Sequence, residues 1–401
     1  MSVGTQVKTS LTERINRIEI SATLAVVNEA DRMRLAGADL VDFGAGEPHF
    51  NTPQHIKDAA IAAIQANFTK YTPVGGTAEL RDALVKRHAQ DFGSDYKREE
   101  CIASTGGKHA LFNAIQVLVE HHDEVIVPVP GWVSFKDIIR YAGGNPVFVE
   151  TDESKGFSLS PAMIESAITP RTKAIIINSP SNPTGAVLPQ EDFKAIVRMA
   201  AERGIWVICD ECYVYLDYSG RRFSGGAVTG AKERIVVIGS LSKTYAMTGW
   251  RLGYALAPKE VVSAMQKLQS QSTSNPTSIV QKAAVGAVTG PQDCIQEMVE
   301  EYIRLRDRMV GGLTAIPGVK CNVPQGAFYA YPNVSAFFGR KGINSASDVA
   351  GRLLREAEVV TVPGEAFGTT QHIRISYPTS PREIDRGLER LRKFFGTVAG
   401  S

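Results

Sequence analysis

Cysteine and tryptophan are scarce in this 401-residue sequence, with five and three residues. Neither sign of charge is in real excess, and long apolar runs are missing. The cysteines, at positions 101, 209, 212, 294 and 321, are an odd and scattered set. That excludes a disulfide framework and suits a reducing compartment, and a chain this long buries enough surface without staples. Cys209 and Cys212 form a C-x-x-C, a spacing shared with redox motifs. However, Cys209 ends the apolar run Ile205 to Cys209, and the intervening Asp210 and Glu211 oppose thiolate formation. Lys and Arg number 44 against 42 Asp and Glu, a formal charge of +2, so the basic stripe of a nucleic-acid binder is not expected. No stretch approaches the roughly 18 apolar residues of a membrane span, and Met1 to Ile20 contain no signal-peptide h-region. The seven histidines show no metal-ligand spacing. A cytoplasmic enzyme without metal, nucleic-acid or membrane partner is the expectation.

What is present is a rhythm of short β-branched runs and helix-length segments. Val125 to Val129, Pro146 to Val149, Ala174 to Asn178, Ile205 to Cys209 and Ile235 to Ile238 read as buried strands, most without polar alternation, as in a sheet covered on both faces. Pro189 to Arg203 carries apolar residues at 193, 196, 197 and 200, the spacing of an amphipathic helix. The pattern predicts an α/β fold with a mainly parallel sheet and ligands at its carboxyl edge. After about residue 290 the character changes to α+β. A charged helix over Cys294 to Leu313 precedes strand-like pieces at Phe328 to Tyr331 and Ile373 to Ser376 and a final helix from about Pro381. The expected division is 1–51 as an arm and part of a smaller domain, 52–290 as the large domain, and 291–401 as the rest of the smaller one.

The stretch Ile235 to Tyr254 is the most informative. A strand runs into Gly239, then Ser240, Ser242 and Lys243, with Arg251 eight residues further on. An amine leaving a buried strand is partly desolvated, which lowers its pKa, and a neutral amine is what Schiff-base chemistry needs. Two hydroxyls and a guanidinium nearby suit a phosphate, although a polar loop after a strand is the plainer reading. Gly106-Gly107-Lys108 opens a helix-like segment, where free N–H groups favour an anion; an ordinary turn reads the same way. Asp210 ends another strand, with Tyr213 three residues on. A buried aspartate needs a cation or hydrogen bonds. It is either a helix cap or the partner of a protonated pyridine nitrogen, as in pyridoxal phosphate (PLP) enzymes. Asn178 to Gly185, with prolines at 180 and 183, is a rigid non-helical loop that presents Asn182.

Together, Ser240-x-Ser242-Lys243, Arg251-x-Gly253, Ser181 to Gly185, Asp210-x-x-Tyr213 and Gly106-Gly107-Lys108 resemble the class I, fold-type I PLP-dependent aminotransferases, most closely the bacterial aspartate/prephenate branch. The likeness runs from Ser21-Ala22-Thr23 to Arg374. It implies a large PLP-binding domain, a smaller domain built from both termini, and transfer of an amino group from an L-amino acid, aspartate or glutamate first, to a 2-oxo acid by a ping-pong route. Lys243 is implied to bear the cofactor and shuttle the proton, and Asp210 to hold the ring nitrogen protonated. Asn182 and Tyr213 are implied to bond the ring oxygen, Trp132 to stack on the ring, and Gly106, Gly107, Lys108, Ser240, Ser242 and Arg251 to surround the phosphate. Tyr71 is implied to reach the phosphate of a second subunit, hence a homodimer with shared sites. Arg374, with Gly44, Trp132 and Asn182, is implied to receive the substrate α-carboxylate.

One position departs from the branch. Where relatives place a lysine for a distal carboxylate, this sequence has Glu19, leaving Lys108 as the candidate cation. Alanine, aromatic or methionine substrates are therefore alternatives to dicarboxylates, and a PLP lyase or synthase could share the scaffold. An effector-sensing regulator would need a DNA-binding domain, for which no N-terminal residues are spare.

Overall fold

The computed structural model describes residues 11–19 and 22–400; Ser21, at the start of the resemblance, lies outside them. A short strand β1 (Val41–Asp42) comes first. Then follow β2 (Cys101–Ser104), β3 (Glu124–Val129), β4 (Asn145–Glu150), β5 (Thr172–Asn178), β6 (Trp206–Asp210), β7 (Ile235–Ser240) and β8 (Gly253–Leu256). These last seven form one sheet in the order β2-β8-β7-β6-β5-β3-β4. Pairings from β7 across to β4 are parallel, and β8 runs antiparallel to both neighbours. The fold is α/β with a mainly parallel sheet among helices, as the alternation predicts.

The centre of the sheet is apolar on both faces because helices cover both: Val207, Ile208, Val236 and Val237 are fully buried. β4 differs from expectation. It is an edge strand paired only to β3, and its Phe148 is largely exposed. The helix Gln190–Glu202 buries Phe193, Ile196, Val197 and Ala200, the stripe read from its spacing. Strands β2 and β8 escape the sequence reading, being four residues each with no turn signal setting β8 apart from the loop before it.

A second group of elements has its own buried cluster. β9 (Tyr329–Ala330), β11 (Val362–Pro363) and β12 (Ile373–Ser376) form an antiparallel sheet in the order β11-β12-β9. β10 (Val359–Val360) pairs in parallel with β1, so Val41 and Phe43 join Tyr302, Leu353 and Phe395 in one core. Gly387 permits this docking, since a Cβ there would lie 2.3 Å from the Phe43 ring. The last helix, Pro381–Ala399, opens on a Ser380 cap that accepts from Glu383 N.

The register fixes where chemistry can gather. Asn178 lies opposite Asp210 across β5 and β6. Asp210 lies opposite Ile238, two residues before the end of β7. Parallel strands bring all three carboxyl ends to one edge.

Candidate active site

That edge forms the floor of a cavity of about 480 Å³. β7 delivers Ser240 and the short helix Leu241–Thr244 delivers Ser242 and Lys243, all three lining it. Asp210 and Tyr213 come from the end of β6, Asn182 from the proline-bounded loop, and Arg374 from β12. Gly107, Lys108 and Trp132 line the opposite side, with Arg251 beside them. Eleven residues singled out in the sequence thus converge on one space.

Lys243 donates a hydrogen bond to the Gly46 carbonyl, and burial pushes its amine down to about 8. Much of it is therefore neutral near pH 8, as a nucleophilic amine requires. Asp210 is 4% exposed and burial raises its carboxyl to about 6. Its Oδ1 accepts from Cys212 N at 3.2 Å, yet among the described residues it forms no ion pair. A buried carboxylate in that state carries an uncompensated desolvation cost that a cation would offset.

The helix Gly107–Leu118 begins at the cavity, and its cap, Gly106, provides no side-chain bond to the first N–H groups. A Cβ on Gly106 would meet Arg251 Nη2 at 2.7 Å, and one on Gly107 would meet Ser240 Cβ at 3.1 Å. Backbone, hydroxyls and guanidinium thus surround an anion-sized space that side chains would fill. Arg251 takes the left-handed conformation, φ 55°, a strain of about 1–3 kcal/mol typical of functional sites. Its Nη1 is held by the Thr248 carbonyl at 2.9 Å. An amine, an unpaired buried carboxylate and an anion cradle around one cavity fit PLP.

Arg374 is 3% exposed. Its Nη2 donates to the Gly44 carbonyl at 2.8 Å and its Nη1 to Asn182 Oδ1 at 3.2 Å. Gly44 therefore meets Arg374 rather than the cavity wall, which Gly46 supplies. Asn182 is itself fixed, its N–H donating to Asn178 Oδ1 at 2.9 Å. Lys108 sits 4.8 Å over the Trp132 ring, and burial next to Arg251 lowers its pKa. Tyr71 does not reach this cavity; it is 93% exposed. The sequence reading overlooks Tyr329 and sets Cys212 aside, yet both line the space. β9 is only two residues long, so no alternation in the sequence could have signalled Tyr329.

Glu19 lies in an adjoining pocket of about 520 Å³ that shares Lys108, Val133 and Arg251 with the first. Its side chain is 71% exposed and pairs with Lys136 Nζ at 3.2 Å. Exposure and pairing both weaken its field. Glu19→Lys is thus expected to raise the dicarboxylate-to-alanine ratio of kcat/KM by about tenfold at most, the equivalent of about 1.4 kcal/mol. Steady-state kinetics on both substrates checks this, and an unchanged ratio places Glu19 outside recognition. Among the described residues no cluster could hold a metal ion, and no helix is long and apolar enough to cross a membrane.

The topology and the lysine–aspartate–arginine cavity together mark a transaminase scaffold, and comparison with known proteins agrees. The family model for aminotransferase class I and II matches residues 38–391. The aspartate aminotransferase of Geobacillus stearothermophilus is 43% identical over 386 residues, covering 96% of this chain and 98% of the relative. The aspartate/prephenate aminotransferase of Thermus thermophilus is also 43% identical, over 96% and 99% of the two chains. Among solved structures, the Thermus thermophilus aspartate aminotransferase with maleate superposes with a TM-score of 0.92 at 42% identity, covering 96% of this chain and all of that one. The Rhizobium meliloti aspartate aminotransferase gives 0.94 at 40%, covering 98% and 100%. The chain belongs to the class I and II aminotransferase family. It is an aspartate aminotransferase-like transaminase, PLP-dependent by family, with amino acids and 2-oxo acids as its substrates.

Proposed function

We propose that the enzyme moves the amino group of L-aspartate or L-glutamate to a 2-oxo acid such as 2-oxoglutarate, in ping-pong order, in the cytoplasm. Bound PLP supplies an electron sink for the substrate α-carbon. Lys243 would hold the cofactor through its amine and would serve as the group that moves the proton at the substrate α-carbon. Asp210 keeps the ring nitrogen protonated, Tyr213 and Asn182 bond the ring oxygen, and Trp132 covers one face. Gly106, Gly107, Lys108, Ser240, Ser242 and Arg251 enclose the phosphate. Arg374 grips the α-carboxylate, with Gly44 holding its guanidinium in place.

The observation carrying this reading is the convergence of Lys243, Asp210 and Arg374 on one cavity from three separated parts of the chain. The dicarboxylate preference draws on the relative solved with maleate, a four-carbon dicarboxylate, and on Lys108 at the mouth of the side pocket. The exposed Tyr71 fits a contribution to a second copy's phosphate site, and the reading includes a homodimer and the division at residues 51/52 and 290/291. Sedimentation at twice the chain mass supports the dimer; a monomer refutes it.

Mixing the holoenzyme with single amino acids tests the function. Aspartate and glutamate should each change the cofactor's absorbance and release one 2-oxo acid per site, the nitrogen staying on the protein. Release of ammonia instead indicates a lyase. Arg374→Lys is expected to raise KM at least about tenfold for every amino acid, since one ammonium cannot reproduce the guanidinium fork. A rise confined to dicarboxylates would assign Arg374 to the distal group.

A further inference from the structure

We propose that Tyr329 is a positioning residue that couples the hydroxyl of Tyr213 to the guanidinium of Arg374. It is 1% exposed and lines the cavity. Its hydroxyl lies 2.6 Å from that of Tyr213, and its ring lies 4.6 Å from the Arg374 guanidinium. The ladder makes this contact obligatory, because β9 pairs with β12 with Tyr329 opposite Ser376, two residues along from Arg374. The segment before β2 closes over it, as a Cβ on Gly46 would stand 2.9 Å from the Tyr329 oxygen.

A phenol has one proton to give. If Tyr213 donates to the ring oxygen of the cofactor, it can bond Tyr329 only by accepting. Tyr329 therefore donates to Tyr213, and a hydroxyl that accepts is a stronger donor in turn. The same side chain restrains Arg374 differently. Two of the arginine's nitrogens are taken by Gly44 and Asn182, its Nε has no partner, and the Phe367 ring, its second aromatic contact, lies 5.1 Å from the guanidinium. A ring face holds the guanidinium plane without consuming an N–H, so the donors remain for a carboxylate. Lys108, Lys243, Asp210, Cys212, Arg251 and Arg374 are the other titratable or charged groups lining the cavity with Tyr213 and Tyr329.

The inference rests on the reading of Tyr213 as a ring contact, and the test separates the two. The readout is the pH midpoint of the colour change of the bound cofactor, followed by absorbance on the holoenzyme, together with KM for aspartate. Tyr329→Phe removes only the hydroxyl and should raise the midpoint by roughly half a unit, with KM within about twofold of the parent. Tyr329→Leu also removes the ring and should add a rise in KM of about tenfold. Tyr213→Phe should raise the midpoint, and the double variant Tyr213→Phe/Tyr329→Phe should raise it no further. If Tyr213→Phe moves the midpoint and Tyr329→Phe does not, the coupling is overturned while the ring contact stands. If Tyr213→Phe leaves the midpoint in place, the ring contact falls and the coupling with it.

Discussion

Lys243→Ala is expected to lower transamination at least about 10⁴-fold while leaving the cofactor bound. In the proposed reading one amine serves as both the covalent attachment and the proton carrier, and loss of a positioned acid–base group alone is worth about 10²- to 10⁴-fold. Binding survives because the anion cradle is built from other segments: the start of the helix Gly107–Leu118, Ser240 and the constrained Arg251. Two measurements check this. Equilibrium dialysis should show PLP retained by the variant at somewhat lower affinity. Borohydride reduction should fix the cofactor to the parent chain at Lys243 and not at all to the variant. A label found on Lys108 or Lys173 would overturn the assignment, since both remain in the variant.

Asp210→Asn is expected to slow turnover by at least about 100-fold, equivalent to about 2.7 kcal/mol of transition-state stabilisation, and to act on stability with the opposite sign. In the cofactor-free protein the carboxyl is raised by burial to about 6 from an ordinary 3.8. Below about pH 4 it is protonated whether the chain is folded or unfolded, and no penalty applies. Between pH 4 and 6 the unfolded chain releases the proton while the folded one keeps it, so stability falls as pH rises. Above pH 6 the full penalty is present, on the order of 3 kcal/mol at most from the size of the shift. Asparagine removes it. The cofactor-free variant should therefore resist denaturant better than the cofactor-free parent at pH 7.5 and equally well at pH 3.5. With PLP bound the ranking should narrow or reverse, because the ring nitrogen then neutralises the parent carboxylate. Equal stability of the two cofactor-free proteins at pH 7.5 would show that Asp210 is not an uncompensated charge.

How much of this was legible in the sequence follows from the distance over which each signal acts. Ile235 to Ile238 and Ile205 to Cys209 announce strands by unbroken β-branched composition, and the residues placed at their ends, Lys243 and Asp210, converge in space because parallel neighbours share an edge. The helix Gln190–Glu202 repeats its own apolar spacing. Strand β8 has no such signature, because a four-residue antiparallel partner is determined by β2 and β7 rather than by its own composition. Glu19 could be read as a charge but not as a paired one, since Lys136 stands 117 residues away. Tyr329 belongs to the same category. An aromatic in a two-residue strand gives no sign of which face it takes until β12 lies beside it.

The bond between Arg374 and the Gly44 carbonyl spans 330 residues, and that span bears on how the enzyme is born. A ribosome releases the cradle and Lys243 long before it releases β12. Local and mid-range contacts form first, and the closure of so large a loop comes late. During synthesis the emerging chain thus completes the anion cradle and Lys243 before it can set Arg374 beside Gly44. Until the segment Ile373–Ser376 arrives, nothing can draw Gly44 near the start of the chain onto Arg374 near its end.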